Sequence, residues 1–448
     1  MYQTNSGPLA QNKDQRRPAP TPRACRFETL ALHAGQTPEA ALSRGVPVYR
    51  TSSFVFKSAA HAAGLFALKE PGHIYSRISN PTVEVLEQRV TALEGGAASV
   101  ALSSGTAAVF ASVITLAQAG DEILAAANLY GGTYTQFDAI LPKLGIKVKF
   151  LDARDLASWE KAISDRTRAV YVETIGNPAL DVTDVRTAAD LAHRHGLPLI
   201  VDGTFTTPYL WRTVDSGADI VVNSLTKWLG GHGTAIGGIV TDAGAFDWSA
   251  GRHPLLTEPD ANYHGMRWAF DPPPELRPQA FALRLRNVPL RNLGACLSPD
   301  NAWVFLQGIE TLPVRMDRHC RNAWIVARHL QAHPQVRWVR YPGLPDDPSH
   351  GIARRYLTNG FGGMVVIGLQ GGYEAAATLI DRIKLFSHLA NVGDAKSLIL
   401  HPASTTHAQL TEEQQRAGGV TPELIRLSIG LEHSDDLIRA LDEALSVL

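Results

Sequence analysis

Leu199-Ile200-Val201-Asp202 and Ile220-Val221-Val222-Asn223-Ser224-Leu225-Thr226-Lys227, the second followed by Gly230-Gly231-His232-Gly233, decide how this chain is read. Each stretch opens with an apolar run of the length of a buried strand. Each then presents one charged residue, an acid from the first and an amine from the second. Open sheets of parallel strands bind ligands beyond the carboxyl ends of their strands. An amine and a carboxylate delivered there together match the demands of pyridoxal phosphate (PLP). Its aldehyde needs a lysine amine for the Schiff base, and its ring nitrogen needs a carboxylate to stay protonated and act as an electron sink. Ser224 and Thr226 flank Lys227 with hydroxyls that can donate to a phosphate, and the glycines let the chain turn close to a cofactor. The same spacing also fits a surface lysine after a buried strand with a capping aspartate, so the pair alone leaves both readings open.

Working outward, apolar runs at 99–102, 122–125, 147–151 and 169–173 read as further buried strands. Helical stretches at 107–117, 155–163 and 185–195 separate several of them. Pro81 opens a helix in which Val83, Leu86, Val90 and Leu93 recur at helical spacing up to Gly95-Gly96. This alternation predicts an α/β protein with a mostly parallel central sheet covered on both faces by helices. Residues 241–297, rich in Pro, Arg and aromatics, read as a long insertion or lid. A long helix from about residue 300 to 332, broken near Pro313, leads into 333–448. There, strands at 363–369 and 424–429 and helices at 373–384 and 435–445 predict a smaller α+β domain. The expected division is a disordered tail over 1–26, an arm over 27–80, a large domain over 81–315 and a C-terminal domain over 316–448.

Composition narrows the function classes. The 448 residues carry Lys plus Arg 42 against Asp plus Glu 43, a net charge of −1, which gives no support for nucleic acid or anionic membrane as a partner. Three scattered cysteines (Cys25, Cys296, Cys320) offer neither a disulfide framework nor a Cys-x-x-Cys metal pair and suit a reducing cytoplasm. The most membrane-like stretch, 101–120, is interrupted by Ser103, Ser104, Gly105, Thr106 and Gln118. Residues 1–26 lack the apolar core of a signal peptide. The histidines lack metal-site spacing, so no metal is expected.

Three further elements bear on the chemistry. Ser103-Ser104-Gly105-Thr106 joins a strand to a helix, where exposed N–H groups and the positive end of the helix dipole form an anion site. A plain helix cap by Ser104 is the alternative. Tyr130, in Asn128-Leu129-Tyr130-Gly131-Gly132, offers a ring that can stack on a planar cofactor or simply pack in a loop. Asn177 before Pro178 can donate to a phenolic oxygen or start a turn. A dinucleotide-binding oxidoreductase fits poorly, because no Gly-x-Gly-x-x-Gly follows a strand here.

Together with Leu32-His33-Ala34-Gly35, Tyr75-Ser76-Arg77, Asn80-Pro81-Thr82, the run from Leu389 to His407, and Arg426-Leu427-Ser428-Ile429-Gly430, these motifs resemble the Cys/Met-metabolism family of PLP enzymes. Leu256-Thr257-Glu258-Pro259-Asp260, Pro289-Leu290-Arg291-Asn292-Leu293-Gly294 and Asn391-Val392-Gly393-Asp394-Ala395-Lys396-Ser397 resemble its O-acetylhomoserine sulfhydrylase branch. The resemblance implies fold type I, with Lys227 as Schiff-base lysine and proton shuttle, Asp202 as pyridinium partner and Tyr130 as stacking ring. It implies that Gly105 and Thr106, with Ser104, Ser224 and Thr226, hold the phosphate. Tyr75 and Arg77 would reach the phosphate of a neighbouring subunit's cofactor. Arg426 would clamp the substrate carboxylate, with Ser397 and Asn177 nearby. The implied reaction is γ-replacement on O-acetyl-L-homoserine by sulfide or a small thiol, in a cytoplasmic homotetramer. O-succinylhomoserine sulfhydrylase, cystathionine γ-synthase and γ-lyase are the alternatives within the family, and a ligand-binding protein without turnover is the alternative outside it. Gly203, where an asparagine is usual, and Thr106, where glutamine or methionine is usual, depart from the pattern, as does Pro272-Pro273-Pro274.

Overall fold

The computed structural model describes residues 25–38, 41–250, 252–408, 411, 413, 415 and 418–448; most of the tail expected over 1–26 lies outside the described residues. Seven strands build the first sheet: β1 (Ala98–Leu102), β2 (Glu122–Ala126), β3 (Lys147–Leu151), β4 (Thr167–Glu173), β5 (Leu199–Asp202), β6 (Ile220–Ser224) and β7 (Gly238–Asp242). Their order is β1-β7-β6-β5-β4-β2-β3. Strands β3, β2, β4, β5 and β6 run parallel. β7 enters antiparallel to both β1 and β6, so β1 points the same way as the rest. The β4 sequence Thr-Arg-Ala-Val-Tyr-Val-Glu is buried at every position, as a strand covered on both faces must be.

Because these strands share a direction, their carboxyl ends share an edge. Glu173, Asp202 and Ser224 close β4, β5 and β6 there, and the Ser103-Ser104-Gly105 turn leaves β1 at the same edge. Two helices, Pro299–Glu310 and Leu312–Gln331, follow with a break at Thr311; Pro313 sits in the first turn of the second, where its missing N–H costs nothing. They lead to a five-stranded sheet of β8 (Val336–Arg340), β9 (Met364–Leu369), β10 (Ser387–His388), β11 (Leu398–Leu400) and β12 (Leu424–Ser428), ordered β10-β11-β12-β9-β8. Only the β10–β11 pair is parallel. This sheet has its own core, including Ile367, Ile425, Leu427, Leu437 and Leu441.

The stretch 241–297, expected to be an insertion or lid, packs in part against the core of the first sheet. Residues 241 and 242 end β7, and Leu256, Trp268, Phe281, Leu285 and Leu290 are buried in the first core. Its prolines and arginines mask apolar positions that short helical turns bring to one side. Among the described residues no helix is long and apolar enough to cross a membrane.

Candidate active site

Ten of the thirteen residues singled out in the sequence line one cavity of about 250 Å³: Ser104, Gly105, Thr106, Tyr130, Asn177, Asp202, Ser224, Thr226, Lys227 and Arg426. At one end, the helix Gly105–Leu116 begins. Ser104 accepts the Ala107 N–H at 3.0 Å and so caps that helix. The cap leaves the first amides of the helix, those of Gly105 and Thr106, without intrahelical acceptors. A Cβ on Gly105 would lie 2.7 Å from the Ser224 Cβ and 2.9 Å from its Oγ, so only glycine lets the turn approach β6 this closely. The Thr226 hydroxyl is tied to Gly237, accepting its N–H at 3.1 Å and donating to its carbonyl at 3.2 Å. The end of the cavity is thus a small anion cradle of amides and the Ser224 hydroxyl. Thr106, which departs from the family pattern, is exposed and lines this cavity, where it offers its backbone amide to the cradle.

The charged residues sit deeper. The Lys227 Nζ donates to Asn391 Oδ1 at 2.6 Å. Burial, reinforced by the positive charge of Arg426, lowers its pKa to about 8. Asp202 accepts the Thr204 N–H at 2.9 Å and the Tyr171 hydroxyl at 3.4 Å. Burial raises its pKa, and among the described residues no lysine or arginine forms an ion pair with it. It is a desolvated acid that a cation placed in the cavity would stabilise, which is what a protonated pyridine nitrogen supplies. Arg426, on β12 and 4% exposed, donates to Asn177 Oδ1 at 3.1 Å and to the Asn391 carbonyl at 3.3 Å. Burial lowers its pKa to about 10, so it remains a cation at neutral pH. Its acceptors are all neutral, which suits it to a carboxylate ligand.

Three candidates lie elsewhere. Ser397 is buried away from the cavity, donating to Glu432 Oε2 at 2.9 Å and accepting the Gly430 N–H at 2.8 Å. Asn391, from the same motif, lines the cavity and bonds to both Lys227 and Arg426. Tyr75 is 40% exposed, with the Arg77 guanidinium 5.2 Å from its ring centre. Arg77 itself donates to the Arg291 carbonyl, outside this chain's cavity lining. Glu173 also lines the cavity although the sequence marked it only as a strand end. The Gly203 departure has a steric counterpart. A Cβ there would come within 3.3 Å of Asn223 Oδ1, because the Asn223 side chain fills that space and donates to Glu94 at 2.7 Å.

A lysine and an unpaired acid in one cavity, an anion cradle at its end and a parallel sheet beneath define a lysine-anchored site that fits PLP. A profile of the Cys/Met metabolism PLP-dependent enzymes matches residues 28–446. The chain is 53% identical over 426 residues to O-acetyl-L-homoserine sulfhydrylase 1 of Thermus thermophilus, covering 94% of this chain and 100% of that one. It is 51% identical over 431 residues to the O-acetyl-L-homoserine sulfhydrylase of Leptospira meyeri (95% and 97% covered). A crystal structure from Campylobacter jejuni, described as an O-acetylhomoserine (thiol)-lyase with N'-pyridoxyl-lysine-5'-monophosphate, superposes with a TM-score of 0.91 at 40% identity. That match covers 94% of this chain and 100% of the other. The chain belongs to the Cys/Met metabolism PLP-dependent enzyme family.

Proposed function

We propose that this enzyme catalyses γ-replacement on O-acetyl-L-homoserine, with sulfide or a small thiol as the incoming nucleophile, giving homocysteine or methionine. The observation that carries the reading is that Lys227 and Arg426 face one cavity, with support from relatives that bear this activity in their names. PLP, when bound, supplies the electron sink that makes protons next to the amino-bearing carbon removable.

The chain's own residues do the rest. Arg426 binds the α-carboxylate as a planar two-pronged donor, steadied by Asn177 and the Asn391 carbonyl. That fixes the Cα–H beside Lys227, whose amine is brought close enough to neutrality to take the proton from Cα and return it. Over the whole reaction the Cγ–O bond breaks, acetate leaves with the bonding pair, and a Cγ–S bond forms. Asn391 Oδ1 holds the amine through one hydrogen bond and orients it.

Tyr75 and Arg77 lie outside this chain's own cavity, and Val55, Phe56 and Phe66 are exposed apolar residues in the same arm. These features support a second copy whose site the arm completes, and the assembly we propose is a homotetramer of two such dimers. Cys25, Cys296 and Cys320 are free thiols, which suits a cytoplasmic enzyme. The test is homocysteine formation from sulfide by purified protein, with O-acetyl- and O-succinyl-L-homoserine compared at equal concentration. The acetyl ester is expected to turn over at least tenfold faster. Equal rates, or ketobutyrate release without sulfide incorporation, would overturn the assignment.

A further inference from the structure

Two carboxyl groups close adjoining strands at the floor of the cavity: Glu173 ends β4, Asp202 ends β5, and the two are register partners. Paired residues of neighbouring parallel strands point to the same face of a sheet, so both acids face the cavity. Asp202 has donors of its own in Thr204 and Tyr171. Glu173 is 7% exposed, and its Oε1 accepts the backbone N–H of Tyr130 at 2.6 Å. Tyr130 precedes the short helix Gly131–Thr135, and its side chain makes no capping bond there. Glu173 is therefore the group that ties the base of the Tyr130 loop to the sheet.

We propose that Glu173 is a positioning residue for Tyr130, holding that ring over the cofactor through an acceptor bond that needs a carbonyl-type oxygen rather than a negative charge. The inference rests on the PLP reading of the cavity and not on the identity of the substrate. Ionising both acids would set two like charges side by side on a buried edge, and among the described residues no lysine or arginine forms an ion pair with Glu173. The negative charge is needed on Asp202, the cavity acid that would hold a protonated ring nitrogen. Burial, and after it the charge of Asp202, hold the Glu173 carboxyl well above the ordinary carboxylate range. Its protonated form keeps an oxygen acceptor for the Tyr130 amide and leaves the site with one negative charge.

PLP affinity of the apoprotein, measured by absorbance titration, tests this, with the cofactor's induced circular dichroism and the melting temperature of the apoprotein as companion readouts. Glu173→Gln keeps an oxygen acceptor of the same length and carries no charge. It is expected to bind PLP within about threefold of wild type, with the same dichroism. Glu173→Asp keeps the acid but falls a methylene short, and Glu173→Ala removes the acceptor. Both are expected to weaken PLP binding about tenfold, the scale of one buried hydrogen bond, and to change the dichroism. If Glu173→Ala does not fold, the Gln and Asp variants decide. A Gln variant as weak as or weaker than the Asp variant would overturn the proposal by showing that a charge is needed. An Ala or Asp variant with wild-type affinity and dichroism would overturn it by showing that nothing is positioned. Failure of the wild type to bind PLP would instead sink the cofactor reading itself.

Discussion

Burial and the nearby Arg426 bring the Lys227 amine to about 8 from an ordinary 10.5. Such a shift carries a stability cost as well as a chemistry. Between the two values the unfolded chain binds the proton more tightly than the folded one, so the cost is present in full below about pH 8. It fades as pH rises toward the unfolded value. Replacing Lys227 by methionine, of similar length and without charge, should therefore stabilise the apoprotein at pH 7, by up to about 3 kcal/mol from the shift alone. Scanning calorimetry of the two apoproteins checks this: the melting-temperature advantage of Lys227→Met should be larger at pH 7 than at pH 10. An advantage that grows with pH would contradict the sign. Lys227 and Asp202 were legible in the sequence because each follows an unbroken apolar run that ends at the ligand-binding edge. Asn391 was not, since it meets Lys227 across 164 residues of chain and belongs to another sheet's loops. Ser397 shared its motif, and nothing in one dimension says which residue of the motif faces the cavity.

At the scale of elements, the cradle depends on how closely the helix Gly105–Leu116 approaches β6. Gly105→Ala would place a methyl 2.7 Å from the Ser224 Cβ and 3.2 Å from its Cα, where relief requires moving backbone. Overpacking of this kind costs about 1–3 kcal/mol, and the displaced amides would lose their aim at a phosphate. PLP affinity is expected to fall about tenfold to a hundredfold, and the apoprotein should melt at a lower temperature. Gly351→Ala is the matched control. It lies in the helix His350–Tyr356 with nothing within 4 Å of its added methyl, so it should gain about 0.5–1 kcal/mol and leave PLP binding alone. Most elements around the cradle were legible, because buried strands and amphipathic helices differ in length and period. β7 was not. It starts at Gly238 after a glycine-rich run that reads as loop, yet a Cβ there would sit 2.2 Å from the Ser104 carbonyl. The glycine that hid the strand is what lets it pass beneath the cradle.

At the scale of the whole molecule, the question is what Tyr75 and Arg77 do outside their own cavity. The arm that carries them is braced by bonds of its own, Phe54 N–H to the Ile74 carbonyl at 3.3 Å and Ser76 N–H to the Ser52 carbonyl at 2.8 Å, and by Arg77 on the Arg291 carbonyl. It leaves Val55 98% exposed. Val55, Phe56 and Phe66 leave apolar surface of that arm facing water, which a second copy would cover, and homo-oligomers close by repeating one such contact. If each arm completes the neighbour's phosphate end, Tyr75→Ala and Lys227→Ala proteins are both inactive for different sites. A hybrid dimer then holds one site with both residues intact and one lacking both. Co-expressing the two chains with different tags and isolating the doubly tagged species selects assemblies that hold both chains, in which each hybrid dimer has one intact site. Such hybrids are expected to show about half the wild-type turnover per dimer, against almost none for either parent. Tyr75 acting within its own chain predicts the opposite: each hybrid site would then lack one residue, and turnover would stay at the level of the parents.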